Sequence, residues 1–251
     1  MNKLILATGS NLGYLHKMLP YLKSIESNSN FDSNYLVYLD ENELSLPFNK
    51  IKITKINPNQ VESLNTIFCL QHGEFLKSKE LFDETNDDDV IFFTDGDMWI
   101  QRPLTEDEIT RFKNFKDGDV FVGYNASPTD TLHNEAIRLG TKGYIPDFFN
   151  FDLNGVKIYN TGVLAMNKKT WTKLTKVYLE LYPEIDKTFF HYAKQQWLLS
   201  YIIGTQGYNI IEMSYDLHNH THFESPKGTT IDDEGIVRYN DKVVLFKHKW
   251  R

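Results

Sequence analysis

Val90-Ile91-Phe92-Phe93-Thr94 is an almost wholly apolar run that leads directly into Asp95-Gly96-Asp97, with Met98-Trp99-Ile100 following. So short a run, apolar on successive residues, predicts a strand buried on both faces, hence a central strand of a sheet covered by helices on either side. Open α/β sheets bind ligands outside the carboxyl ends of their strands, which is where this strand delivers two carboxylates. In extended backbone, residues two apart face the same side, so Asp95 and Asp97 converge on one point. Gly96 lets the backbone between them approach a ligand closely. A hard divalent cation takes one or two carboxylates and completes its shell with phosphate oxygens, so the pattern suits a diphosphate leaving group.

The surrounding pattern is that of βαβ units around a mostly parallel sheet. Strands are predicted at Lys3–Thr8, Tyr35–Leu39 and Ile51–Ile56, with a helix over Leu15–Ile25 and another over 60–82 that weakens at Gly73. The acidic run Asp87-Asp88-Asp89 reads as a solvated turn. Thr105-Glu106-Asp107-Glu108 has capping-box spacing ahead of a helix, and Val120–Tyr124 is a further strand. Residues 125–155 are rich in Gly, Pro, Asp and Asn and show no period, as a lid or binding loop does. Beyond them, strands at Val156–Tyr159 and Gly162–Met166 flank Asn160-Thr161; helices follow from Trp171 and over 189–203, then strands near 208–213 and 243–247. Without a repeat or a linker, residues 1–251 are expected to form one domain, with about 1–100 binding nucleotide and about 101–251 binding acceptor.

The formal charge of −7, from 27 basic and 34 acidic residues, argues against bulk binding of nucleic acid. A single cysteine, Cys69, allows no internal disulfide and fits a reducing compartment, so a cytoplasmic protein is expected. No segment is long and apolar enough to span a bilayer.

Taken with the strand before it, Asp95-Gly96-Asp97 resembles the D-x-D metal site of GT-A glycosyltransferases. Tyr159-Asn160-Thr161-Gly162-Val163-Leu164-Ala165-Met166-Asn167 is similar to the F-N-[AS]-G-[VL]-hydrophobic-x-N segment of family 8 glycosyltransferases, the glycogenin- and galactosyltransferase-like enzymes. Gln195-Gln196-Trp197-Leu198-Leu199-Ser200 is similar to their D-Q-x-x-L-N helix, with Gln195 in place of the aspartate and Ser200 in place of the asparagine. Val243 to Trp250 resembles a compressed form of their H-F-x-G-x-x-K-P-W element.

The resemblance implies a GT-A fold, a Rossmann-like α/β domain with a mostly parallel central sheet flanked by helices. It also implies a metal-dependent hexosyltransferase with a nucleotide-sugar donor, UDP-sugar first, a manganese or magnesium ion, and a retaining mechanism. Carried over residue by residue, Asp95, Asp97 and His248 are the metal ligands, and Lys249 (or Lys247) meets the diphosphate. Asn160 and Gly162 border the donor sugar, a small residue letting the ring approach the backbone and an amide bonding its hydroxyls; Gln196 takes the family glutamine's place. Ala7, Thr8, Gly9, Asn11 and Asp40 stand where such enzymes grip base and ribose, and Lys77 or Lys79 is a phosphate contact. An inverting route would need a carboxylate base near the acceptor; Asp130, Asp147 and Asp152 are available, Asp152 being nearest in sequence to Asn160. A glycan, lipid or protein is the expected acceptor.

Other readings remain in view. His218, His220 and His222 share a face if extended and form a second metal candidate. A haloacid-dehalogenase-like phosphatase also carries D-x-D after a strand, but near the chain start and followed by Gly-Thr. A nucleotidyltransferase needs a basic residue after its glycine-rich loop, which Gly9-Ser10-Asn11-Leu12-Gly13 lacks. A non-catalytic carbohydrate- or nucleotide-binding module is the reading that Gln195 favours.

Overall fold

A computed structural model describes residues 2–40, 42–61, 68–125, 129–138, 153–188, 194–220 and 226–248, with the side chains at 68, 69, 136–138, 154, 184–188, 194 and 220 left aside. The first part of the chain lays down β1 (Leu4–Ser10), α1 (Leu12–Asn28), β2 (Ser33–Leu39), β3 (Ile51–Ile56), α2 (Lys79–Glu84) and β4 (Val90–Thr94). Then come β5 (Met98–Ile100), α3 (Glu106–Lys113), β6 (Asp119–Tyr124), α4 (Leu132–Arg138), β7 (Tyr159–Asn167), α5 (Lys168–Thr188) and α6 (Lys194–Thr205). The remaining elements are strands: β8 (Asn209–Glu212), β9 (His218–His220), β10 (Thr229–Ile231), β11 (Val237–Tyr239), β12 (Lys242–Val243) and β13 (Phe246–His248).

Seven strands form the main sheet in the order β3-β2-β1-β4-β7-β6-β8. Neighbours run parallel except at β7, which is antiparallel to both β4 and β6. From β1 the chain builds outward to β2 and β3, then returns to add β4 on the other side. That reversal opens a crevice at the carboxyl ends of β1 and β4, the place where open α/β sheets receive ligands. Asp95 leaves β4 at this point.

Alternation along the central strands splits the core into two layers. Ile5, Ala7, Ile91, Phe93, Leu164 and Met166 face one layer, closed by Trp171 and Leu174 of α5 and by Trp197 and Leu198 of α6. Leu4, Leu6, Val90, Phe92, Val163 and Ala165 face the other, closed by Met18, Tyr21 and Leu22 of α1 and Phe112 of α3. Buried on both faces, these strands carry unbroken apolar runs rather than alternating ones: Leu4–Ala7 of β1, Val90–Phe93 of β4 and Val163–Met166 of β7. The Trp171 indole N–H donates to the Ile91 carbonyl (3.0 Å), fastening α5 to β4.

Several expectations are corrected. Residues 60–82 do not form one helix: short 3-10 turns, Phe68–His72 and Glu74–Lys77, precede α2. They meet at Gly73, whose φ of +108° admits glycine readily and where a Cβ would lie 1.9 Å from Thr175 Oγ1 of α5. Asp89 is not solvated; its buried carboxylate accepts from the backbone N–H groups of Lys3 and Asn86, both at 2.8 Å. Asn160-Thr161 does not separate two strands but lies inside β7 at a bulge: consecutive Val122 and Gly123 of β6 pair with Leu164 and Asn160, so the β6 register skips Thr161–Val163 of β7. Within 125–155, Leu132–Arg138 is helical.

Phe92 joins the layers' largest aromatic cluster, with ring centroids 5.1 Å from Phe31, 4.9 Å from Phe112 and 6.4 Å from Phe246. Phe92→Ala should therefore cost about 3–5 kcal/mol in urea unfolding, the range for emptying a packed aromatic site.

His72 is fully buried, edge-on to Tyr178 (3.8 Å between ring centroids) and 3.6 Å from Glu74, which Lys77 also pairs at 2.8 Å. Burial first, and Lys77 second, push its pKa well below the ordinary 6.5. The unfolded chain protonates this histidine near 6.5 while the folded chain does not, so its neutral burial favours folding above that pH and is progressively lost below it. The unfolding free energy of His72→Phe should accordingly fall less steeply than wild type between pH 7 and pH 5 in urea titrations.

Candidate active site

Asp95, Asp97 and His248 meet at the carboxyl end of β4, with one ligand atom from each lying within 4.8 Å of the others. Two backbone attachments bring this about. Asp95 N–H donates to the Gly162 carbonyl (2.8 Å), tying the end of β4 to β7. Asp97 leads into β5, which pairs antiparallel with β13 in the register Met98↔His248 and Ile100↔Phe246. Phe246 is buried beside Phe92, and residues two apart share a face, so anchoring Phe246 also turns His248 inward.

His248 Nε2 is 3.3 Å from Asp97 Oδ1 and 3.9 Å from Asp95 Oδ2. The imidazole is buried, while Asp95 and Asp97 keep 26% and 21% of their side-chain surface open, which leaves the cluster a wet side. Burial lowers the His248 pKa to about 4 against a smaller opposing pull from Asp95, so at neutral pH the ring is uncharged and its lone pair is available. A neutral imidazole and two carboxylates are the donors a divalent ion requires. Around an octahedral ion with bonds of about 2.1 Å, adjacent ligands lie about 3 Å apart; the separations of 3.3 and 3.9 Å from His248 Nε2 are somewhat wider than this, and the three donor types fit such an ion.

Gly162 makes the arrangement possible. A Cβ there would lie 2.4 Å from His248 Cε1, 2.8 Å from its Nδ1 and 2.9 Å from Asn160 Oδ1. On its Cβ side, the space that the sequence suggested for a sugar ring holds the histidine. Asn160 Oδ1 accepts from the Gly162 N–H at 2.9 Å, so Asn160 shapes the same turn. Gly96 faces Met18 of α1, whose Cγ and Sδ would each be 2.8 Å from a Cβ.

Gln196, on α6, comes to the same strand. Its Oε1 accepts from the Thr161 N–H (3.4 Å) and its Nε2 donates to Asn125 Oδ1 (3.1 Å). Ser200 Oγ, one turn on, accepts from the Tyr159 N–H at 3.0 Å. Gln195 is buried.

The residues expected to hold base and ribose are more dispersed. Ala7, Thr8 and Gly9 are buried in β1; Thr8 Oγ1 donates to the Thr94 carbonyl (2.9 Å), and a Cβ on Gly9 would lie 2.3 Å from Leu70 Cδ1. Asn11 caps α1 by accepting from the Tyr14 N–H at 3.0 Å, and Asp40 closes a turn by accepting from the Asn42 N–H at 3.0 Å. The Lys77 ammonium contacts Glu74 (2.8 Å) and the Gln60 carbonyl (3.0 Å); Lys79 pairs with Asp83 (2.7 Å); Lys247 donates to the Gly235 carbonyl (2.9 Å). Asp130 is buried and accepts from the Thr131 N–H at 3.1 Å. Asp147, Asp152, His222 and Lys249 lie outside the described residues, as does the side chain of His220.

Two neighbours of the cluster had no place in the sequence reading of it. Gln71 donates from Nε2 to Asp95 Oδ1, from a stretch read as plain helix. His218, weighed only as part of a separate histidine cluster, lies against His248 with its Nε2 3.2 Å from His248 Nδ1.

Comparison with solved structures places this architecture. The galactosyltransferase LgtC, in complex with donor and acceptor sugar analogues, superposes with a TM-score of 0.57 over 98% of this chain and 87% of its own, at 14% sequence identity. The fold is GT-A. An active-site variant of LgtC with glutamate in place of glutamine matches over the same shares at a TM-score of 0.55 and 14% identity. The glycosyltransferase GlyE of Streptococcus pneumoniae TIGR4 matches at 0.50 and 13% identity, over 86% of this chain and 46% of its own. No protein-family profile matches the sequence, and no curated protein matches it significantly. The likeness to GT-A glycosyltransferases of family 8 is thus carried by the fold. Among the described residues, no helix is long and apolar enough to cross a membrane.

If Gly162 is the floor under His248, Gly162→Ala must displace the ring. It should cost about 1–3 kcal/mol in urea unfolding, as overpacking does. Gly155→Ala, where an added Cβ meets nothing within 4 Å, should change stability by no more than about 0.5 kcal/mol.

Proposed function

We propose that this protein is a glycosyltransferase that moves a hexosyl group from a nucleotide-sugar donor, a UDP-sugar, to a glycan, lipid or protein acceptor, with retention at the anomeric carbon. The observation that carries the reading is the convergence of Asp95, Asp97 and His248 at the crevice of a GT-A sheet. Its support is the fold shared with LgtC, which binds donor and acceptor sugar analogues.

Asp95, Asp97 and His248 would hold a manganese or magnesium ion. When bound, such an ion supplies positive charge against the diphosphate oxygens of the donor. The chain's own part is positioning and electrostatics, the terms that dominate when a leaving group departs with its charge. β5 and β13 keep the three ligands in register before the donor arrives, so little reorganisation accompanies binding. Gln71, bonded to Asp95 Oδ1, fixes that carboxylate's rotation. The Gln196 amide faces Thr161 beside the Asn160–Gly162 turn. It is assigned the role of lining the sugar's reacting face, in keeping with the active-site glutamine of LgtC. An amide cannot act as a general base, so in this reading Gln196 orients and stabilises rather than accepts a proton. Residues 1–251 act as one domain, about 1–100 binding the nucleotide and about 101–251 the acceptor.

The test is a thermal-shift and transfer comparison of wild type with Asp97→Asn. UDP with manganese, at a hundred times its dissociation constant, should stabilise wild type by about 2.7 kcal/mol. Asp97→Asn should keep its ligand-free melting temperature, lose the manganese-dependent part of that shift and lose hexosyl transfer by several orders of magnitude. Near-normal transfer by Asp97→Asn would overturn the assignment.

A further inference from the structure

We propose that His218 is a positioning residue for His248, fixing the imidazole so that Nε2 is presented to a cation; this rests on the cation-site reading above. Four observations carry it. His218 Nε2 lies 3.2 Å from His248 Nδ1, the nitrogen facing away from Asp95 and Asp97. The two rings lie edge to edge, with centroids 5.4 Å apart and planes 29° from parallel, as an in-plane N–H···N contact requires, and both are buried. β9 pairs parallel with β13 in the register Phe246↔His218, so the contact is built into a sheet rather than left to a loop. Finally, both rings lie over glycines: a Cβ on Gly123 would be 2.4 Å from His218 Nδ1, just as one on Gly162 would be 2.4 Å from His248 Cε1. Gly123 is paired with Asn160, opposite the bulge of β7. Two adjacent strands thus give up a side chain each to seat one histidine pair.

The chemistry follows from the tautomers. A neutral imidazole that offers the Nε2 lone pair to a cation carries its proton on Nδ1. That N–H donates to His218 Nε2, and the proton of His218 sits on its own Nδ1 over Gly123. Partners behind a metal-binding histidine hold the ring's orientation and tautomer. A neutral acceptor suits this place: with two carboxylates already opposite one divalent ion, a third buried carboxylate would add uncompensated negative charge.

His218→Phe keeps a ring and removes the acceptor, whereas His218→Gln returns an amide oxygen near the position of Nε2. Manganese affinity of the whole protein, read from the electron paramagnetic resonance signal of the free ion, is the direct measurement, with metal-free urea unfolding recorded for each variant. His218→Phe should weaken manganese binding by roughly tenfold or more, the range seen when such a partner is lost. His218→Gln should recover most of that loss, whatever its metal-free stability. Equal affinity in wild type and His218→Phe, or equal losses in both variants, would overturn the assignment. Absence of manganese binding by wild type itself would instead refute the cation-site reading, and this inference with it.

Discussion

The antiparallel register of β5 with β13 is the constraint on which the rest of the site depends. Asp95 and Asp97 are delivered by their own strand, but two partly exposed carboxylates are common on protein surfaces. What distinguishes this pair is the imidazole brought to it from about 150 residues along the chain by the pairing Met98↔His248. The same apolar packing serves both partners. Phe92 lies on the strand that ends at Asp95, Phe246 on the strand that ends at His248, and they share one aromatic cluster. Core and site are therefore coupled mechanically as well as by proximity.

Against that geometry the rival chemistries fare unevenly. A phosphatase would use Asp95 as a lone nucleophile, whereas here it is grouped with Asp97 and His248 and bonded to Gln71, an arrangement that suits a cation. A nucleotidyltransferase would present a phosphate-binding loop after β1, but Gly9 is packed against Leu70 and Asn11 is occupied in capping α1. Gln195, whose substitution for the family's aspartate favoured a mere binding module, is buried, while its neighbour Gln196 accepts from the Thr161 N–H.

Much of this was legible in the residues, because the relevant signals are local. A buried central strand announces itself through an unbroken apolar run, and its carboxyl end follows directly, so β4 and the two aspartates could be located from Val90 to Asp97 alone. The Asn160–Gly162 segment was recognisable too, although its physical role was only partly so: the missing Cβ accommodates His248, a contact between residues 86 positions apart that no local pattern encodes. The failures share this origin. Residues 60–82 have helical spacing, but Gly73 must turn against Thr175 of a distant helix, and tertiary contact overrides period. Asp89 looks like one of three solvated acids until the Lys3 N–H is seen to need an acceptor. Gln71 carries no motif of its own, and His218 was read with His220 and His222 rather than with His248; both gain their place from what the fold sets beside them.

The β5–β13 pairing also bears on how the molecule comes to be folded. It closes a loop of about 150 residues, and contacts so distant along the chain cost more conformational entropy to form early than those between adjacent strands. The parallel core around β1 and β4 draws on nearer partners and can consolidate first, leaving the docking of β13 as a late event. A chain arrested before that event would hold most of its sheet yet have only an acidic edge, without the imidazole of His248. In the proposed reading, competence to grip an ion would then arrive abruptly, with completion of the tertiary structure rather than in proportion to it.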